Sequence, residues 1–157
     1  LQSMKDKVKD YQVLIHSMAV SDYTPVYMTG FDEVKASQDL TEFLDKKNQE
    51  TKISSKEDVQ VLFLKKNPKI ISLVKEWNPS IHLIGFKLLV DVSREYLIQI
   101  ARESLGKNKA DIIVANDLTQ INAEQHIAYL VEKANFQTAS CKQEIADLLL
   151  EKIKSYD

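Results

Sequence analysis

The sequence predicts an α/β fold built on one mostly parallel sheet, and three observations predict it. Short apolar runs alternate with longer segments of helical periodicity, the pattern of βαβ units. Three of the apolar runs stop at a polar or glycine-bearing tip. Residues 11–16 open onto Ser17 to Tyr23, 81–84 end at Gly85-Phe86, and 111–115 end at Asn116-Asp117. The stretch 127–139 alternates and breaks at Glu132 to Asn135, which predicts a β-hairpin adding antiparallel strands to one side of the sheet. If the three runs are parallel neighbours, their tips share one edge. In open α/β sheets ligands bind in the crevice outside that carboxyl edge.

The elements follow in order. Leu1, Met4 and Val8 have helical spacing, and a strand at Tyr11 follows at once. The chain is expected to start inside a helix of a larger unit, with an upstream part of the natural protein missing. Residues 24–58 hold Pro25, Gly30 and runs of Lys, Asp, Gln, Ser and Asn. A polar excursion of that length predicts a flap or binding loop, with a weak helix around Leu40, Phe43 and Leu44. A strand follows, and then Asn67-Pro68 reads as an N-cap with proline at the first helical position, where its missing N–H costs nothing. Ile70, Ile71, Val74 and Trp77 form that helix's apolar face. Ser93 caps the next helix, Leu97, Ile100, Ala101 and Leu105 line its buried side, and Gly106 reads as its stop. The last helix opens with a capping box, Ser140 to Gln143, and buries Ile145, Leu148, Leu149 and Ile153.

The bulk numbers narrow the class. The chain has 157 residues, 44% of them hydrophobic and 28% charged, which fits one globular domain over 1–157. The 21 basic and 23 acidic residues leave a net charge of -2, so bulk electrostatics do not draw nucleic acid. A few local lysines still suffice for a triphosphate. The single cysteine, Cys141, cannot form an internal disulfide, and a reducing cytoplasm is the expected compartment. No segment approaches the roughly 20 apolar residues of a membrane span, and the first residues do not read as a signal peptide.

Several chemistries have no signature. With three glycines, Gly30, Gly85 and Gly106, neither a GxGxxG nor a Walker-type loop can be written. His16, His82 and His126 are far apart in sequence, without metal-ligand spacing, and read as strand-end or surface residues. Cys141 reads as passive. Asp22, just beyond the first strand, has two readings that stand level: a turn aspartate bonded to its own backbone, or a nucleotide contact. Gly85-Phe86 is either a tight spot before a core ring or a place where a ligand approaches the backbone while the ring meets a base. Asn116-Asp117 is an Asx turn or a polar reader of ligands. Lys52 is a surface charge or, on a mobile flap, a clamp for a triphosphate. Lys65 and Lys66 read as surface charge, as do Lys107 and Lys109, which are expected near the third strand tip.

Taken together, Ala19-Val20-Ser21-Asp22-Tyr23, Lys52-Ile53-Ser54-Ser55, Asn67-Pro68-Lys69-Ile70, Gly85-Phe86 and Ala110 through Asp117 resemble phosphopantothenate–cysteine ligase (phosphopantothenoylcysteine synthetase) in order and approximate spacing. The nearest likeness is to its stand-alone bacterial type, over the C-terminal portion. The resemblance implies a Rossmann-like three-layer fold, a homodimer, and a cytoplasmic role in coenzyme A biosynthesis. It implies CTP and Mg²⁺, with the carboxylate of 4′-phosphopantothenate activated as an acyl-cytidylate and then attacked by the cysteine amine. Within it, Lys52 is the catalytic flap lysine. Met18 and Ala19 offer backbone to the nucleotide, Asp22 a side chain, Gly85-Phe86 the base pocket, and Asn116 and Asp117 the floor. No metal ligand is assigned. The chain departs from the family at Ser54 and Ser55, where lysines are common, and at Ser104 and Asn108, for which Lys107 and Lys109 are the stand-ins. The alternatives are a Rossmann-like NAD(P)- or flavin-binding protein, or a non-catalytic remnant domain.

Overall fold

A computed structural model describes residues 1–48 and 57–156. They pack as two compact units, one of Leu1–Met18 with Ile70–Asp157 and one of Ala19–Lys69.

The first unit is the expected sheet. Its strands are β1 (Val13–His16), β4 (His82–Leu89), β5 (Ile112–Ile121), β6 (His126–Val131) and β7 (Phe136–Ala139), ordered β1-β4-β5-β6-β7. β1, β4 and β5 are parallel neighbours, with Ile15 opposite Ile84 and Ile84 opposite Ile112. β6 and β7 are the expected antiparallel hairpin; the Glu132 N–H closes its turn on the Asn135 carbonyl at 2.9 Å.

Helices cover both faces, making three layers. On one side lie α1 (Gln2–Lys7), α3 (Ile70–Trp77) and α4 (Arg94–Asn108). With Val8, in the 3₁₀ turn Val8–Asp10 that follows α1, they bury Val74, Leu97, Ile98 and Ala101 against Leu83, Ile113 and Ala115. On the other, α5 (Lys142–Lys154) buries Ile145 and Leu149 against Ile84, Ile112 and Val114. Each such side chain contributes about 1.5–3 kcal/mol, so the apolar stripes fix which way the helices face. Ile98 takes the core place expected for Ile100.

The second unit holds β2 (Tyr23–Gly30) and β3 (Gln60–Lys66), paired antiparallel, with α2 (Phe31–Ala36) and a 3₁₀ helix, Leu40–Leu44. Its centre is Phe43, fully buried, with ring centroids 5.0 Å from Phe63 and 6.0 Å from Tyr27. Lys46 lies 4.4 Å over the Phe43 ring and pairs with Glu33 at 3.1 Å. The expected flap over 24–58 therefore contains a strand and its own aromatic core wherever it is described. The expected helix around Leu40 is the 3₁₀ segment.

Four local readings are corrected. β4 and β5 run past their expected ends, because parallel pairing of Leu88 with Asn116 and Leu89 with Asp117 carries both strands through the polar positions. Asn67 does not cap α3. Its side chain accepts from Thr24 Oγ1 at 2.8 Å and donates to the Ser21 carbonyl at 2.9 Å, closing the base of the second unit. Gly106 does not stop α4, which continues to Asn108 and ends at Lys109 in the left-handed region (φ 52, ψ 34). At α5, Cys141 is the cap residue, and Glu144, not Gln143, reaches back to the Ser140 N–H at 2.7 Å. The Ser93 cap is as expected, accepting from the Tyr96 N–H at 3.2 Å.

Candidate functional site

The carboxyl edge of β1, β4 and β5 is built by alternation. Successive strand residues point to opposite faces, and Ile84 and Val114 face α5. Phe86 and Asn116 therefore lie on that same face, on adjacent strands. Beyond the reach of α5 this face stays partly open: Ile15, Phe86 and Leu88 are exposed, Phe86 to 38%. Asn116, in register with Leu88, is buried and donates from Nδ2 to the Ile127 carbonyl at 3.0 Å. A half-open ring beside a fixed amide is a surface on which a planar polar group can stack and be read.

Gly85 and Asp117 face the other way. A Cβ on Gly85 would come within 2.7 Å of Ile71 Cδ1 and 2.9 Å of Ile113 Cδ1. The glycine is thus required by the close packing of α3 on the sheet, and ligand approach is not needed to explain it. Asp117 is 1% exposed. Its carboxylate accepts from the N–H groups of Val92 (2.8 Å), Thr119 (2.9 Å) and Asp91 (3.0 Å) and from Thr119 Oγ1 (2.8 Å). The Val92 N–H first, then the two Thr119 donors, hold its pKa down to about 2. It is saturated, and it fixes Asp91 at φ 53 in the turn between β4 and α4. Asp117 shapes the crevice wall; the expected role as a direct ligand contact has no free oxygen to serve it.

Met18, just past β1, is exposed. Ala19 and Asp22 belong to the second unit. The turn there is made by Ser21, whose Oγ accepts from the Tyr23 N–H and donates to its carbonyl, so Asp22 is not the turn-forming side chain. The Asp22 carbonyl accepts from the Asn67 N–H at 2.8 Å, and its exposed carboxylate has no ion pair among the described residues. Lys52, Ser54 and Ser55 lie outside the described residues. Lys107 and Lys109 belong to the end of α4, which leads into the start of β5; they are at the amino end of that strand and not near its tip.

One residue was undervalued from sequence. His16 ends β1 opposite Gly85 and is 9% exposed, and its Nε2 is buried without a hydrogen-bond partner. Burial of that kind leaves no mark in a sequence. Among the described residues no group of three or more His, Cys, Asp or Glu could hold a metal ion, and no helix is long and apolar enough to cross a membrane.

Fold and edge together define a Rossmann-like α/β unit with a candidate ligand site at its parallel strand ends. The chain belongs to the DNA/pantothenate metabolism flavoprotein C-terminal domain family, which matches residues 34–156. It is 33% identical over 126 residues to the coenzyme A biosynthesis bifunctional protein CoaBC of Thermococcus kodakarensis, covering 79% of this chain and 31% of that protein. The chain spans about a third of the length of the curated relatives it matches. A solved structure of the DNA/pantothenate metabolism flavoprotein from Streptococcus pneumoniae is 69% identical, with a TM-score of 0.93, covering 100% of this chain and 69% of that one. The C-terminal domain of a CoaBC protein shares the fold at 20% identity and a TM-score of 0.59, covering 99% of this chain and 61% of that one.

Proposed function

We propose that this chain provides the nucleotide-binding part of a phosphopantothenate–cysteine ligase acting in coenzyme A biosynthesis. The family assignment supports the pathway, and one observation carries the site: Phe86 and Asn116 share the open face of adjacent parallel strands at their carboxyl ends. In this reading the 4′-phosphopantothenate carboxylate attacks the α-phosphorus of CTP. A new P–O bond forms as the bond to pyrophosphate breaks, giving the acyl-cytidylate. The cysteine amine then attacks the acyl carbon, CMP leaves with the electron pair of the C–O bond, and the amine proton is lost to solvent. Carboxylates are poor acyl donors, so the enzyme's work is positioning and charge stabilisation.

Met18 and Ala19 would offer backbone to the nucleotide and Asp22 its carboxylate. Phe86 would stack on the base, Asn116 would floor the pocket, and Lys52 would stabilise charge on the phosphates. His16, opposite Gly85, lies on the other face of the sheet and is not part of this site. Mg²⁺ would accompany the triphosphate. No cluster of three or more His, Cys, Asp or Glu among the described residues forms a site for it. A homodimer and a cytoplasmic setting complete the reading.

The test is the complete protein with phosphopantothenate and CTP, and ATP in parallel, with cysteine withheld. The expected result is one equivalent of pyrophosphate per site and an acyl-nucleotide seen by mass spectrometry, with CMP or AMP released when cysteine is added. Absence of pyrophosphate with either nucleotide would overturn it. The name flavoprotein on the Streptococcus pneumoniae relative makes bound flavin the control: a yellow protein that ignores both nucleotides favours the flavin-binding alternative.

A further inference from the structure

We propose that a cavity at the amino end of the sheet is a second ligand site, one that takes a small phosphate monoester with an apolar body. The cavity has a volume of ≈ 330 Å³ and is lined by Arg102, Leu105, Gly106, Lys109, Ala110 and Lys133. Leu105, Gly106 and Ala110 give it an apolar wall. Arg102, Lys109 and Lys133 give it three cations, and none of the three forms an ion pair among the described residues. Lys109 begins the passage into β5, and Lys133 lies in the turn after β6, so the cavity is at the opposite end of β5 from the crevice of Phe86 and Asn116.

Two local rules are broken in its wall. α4 ends in a Schellman arrangement, with the Lys109 N–H reaching the Gly106 carbonyl at 3.3 Å and the Ala110 N–H reaching the Leu105 carbonyl at 3.0 Å. The residue held left-handed there is ordinarily glycine, yet here it is Lys109 at φ 52. Three residues earlier, inside the helix, stands Gly106, where alanine is the better helix former. A Cβ at Gly106 would meet nothing within 4 Å, so packing does not require the glycine. The chain has a lysine where its backbone suits glycine, and a glycine where its helix suits alanine, and both line one cavity. Departures from local preference with no packing cause mark functional positions. Lys109 adds a cation to the lining, Gly106 leaves the wall without a side chain, and the Arg102 guanidinium supplies a planar fork suited to two phosphate oxygens. The apolar wall takes the ester's body.

The test is an amide NMR titration of the complete chain with phenyl phosphate and, separately, inorganic phosphate. Saturable shifts are expected at Gly106, Lys109 and Ala110, with phenyl phosphate binding more tightly than phosphate. Lys109→Gly relieves the backbone and should raise the melting temperature while weakening phenyl phosphate at least tenfold. Arg102→Met should weaken it by a similar factor with an unchanged melting temperature. No saturable shift at these amides at millimolar ligand would overturn the proposal. So would a Lys109→Gly variant that melts higher and binds as before, because the lysine would then have no ligand to serve.

Discussion

At Asp117 a single carboxylate collects three backbone N–H groups and a hydroxyl, and the consequence is a definite pH dependence. Its pKa is about 2 in the fold against an ordinary 3.8. The lowered value means that its contribution to stability is complete above about pH 4 and is lost as pH falls through 2. Asp117→Asn should therefore melt below the wild type at pH 6, and the gap should close between pH 4 and pH 2 in parallel thermal melts. Activity tests separate the other candidates. Lys52→Ala in the complete enzyme should slow pyrophosphate release more than it weakens CTP binding; unchanged release would remove Lys52 from the chemistry. Asp22→Ala should weaken CTP directly, by roughly ten- to a hundredfold for the loss of one charge-assisted hydrogen bond of about 1.5–3 kcal/mol, and calorimetry showing wild-type affinity would remove it from the site.

Among the elements, Gly85 gives the cleanest discrimination. A methyl group there meets Ile71 and Ile113 at under 3 Å, so Gly85→Ala should destabilise by about 1–3 kcal/mol through overpacking. Urea unfolding measures this; a variant of normal stability but weakened nucleotide binding would restore the ligand-approach reading. The element scale also shows what was legible in the sequence. β4 and β5 were readable as apolar runs because burial on both faces through their first halves leaves no polar alternation, β1 was readable from its apolar residues alone, and the hairpin was readable from its break at Glu132 to Asn135. The ends of β4 and β5 were not. Gly85 and Asn116 look like breakers, and only pairing with a neighbour 28 residues away in register carries the strands past them. β2 was missed because it contains Pro25 and opens with three exposed residues, and among the described residues it pairs with β3 alone. Asn67 carried the local signature of a cap, but its amide is committed to Ser21 and Thr24, 46 and 43 residues away. Long-range hydrogen bonds of this sort outweigh a local cap and have no sequence pattern. For the candidate site, Phe86 and Asn116 were legible as strand residues near an edge, whereas the saturation of Asp117 and the burial of His16 were not.

On the scale of the whole molecule, the two compact units have separate hydrophobic centres. The second depends on Phe43, which is fully buried between Tyr27 and Phe63. Phe43→Ala should cost about 3–5 kcal/mol locally. Hydrogen exchange should then show lost protection in β2 and β3, with the amides of β4 and β5 unchanged; uniform loss across both units would mean that they unfold as one. The carboxyl ends of β1, β4 and β5 are proposed to hold a nucleotide. A crystal structure of the complete protein with CTP tests it most directly. The base is expected against the Phe86 ring, near Asn116 and the Met18 backbone. A nucleotide bound away from these strand ends, or on the α3 face of the sheet, would contradict it.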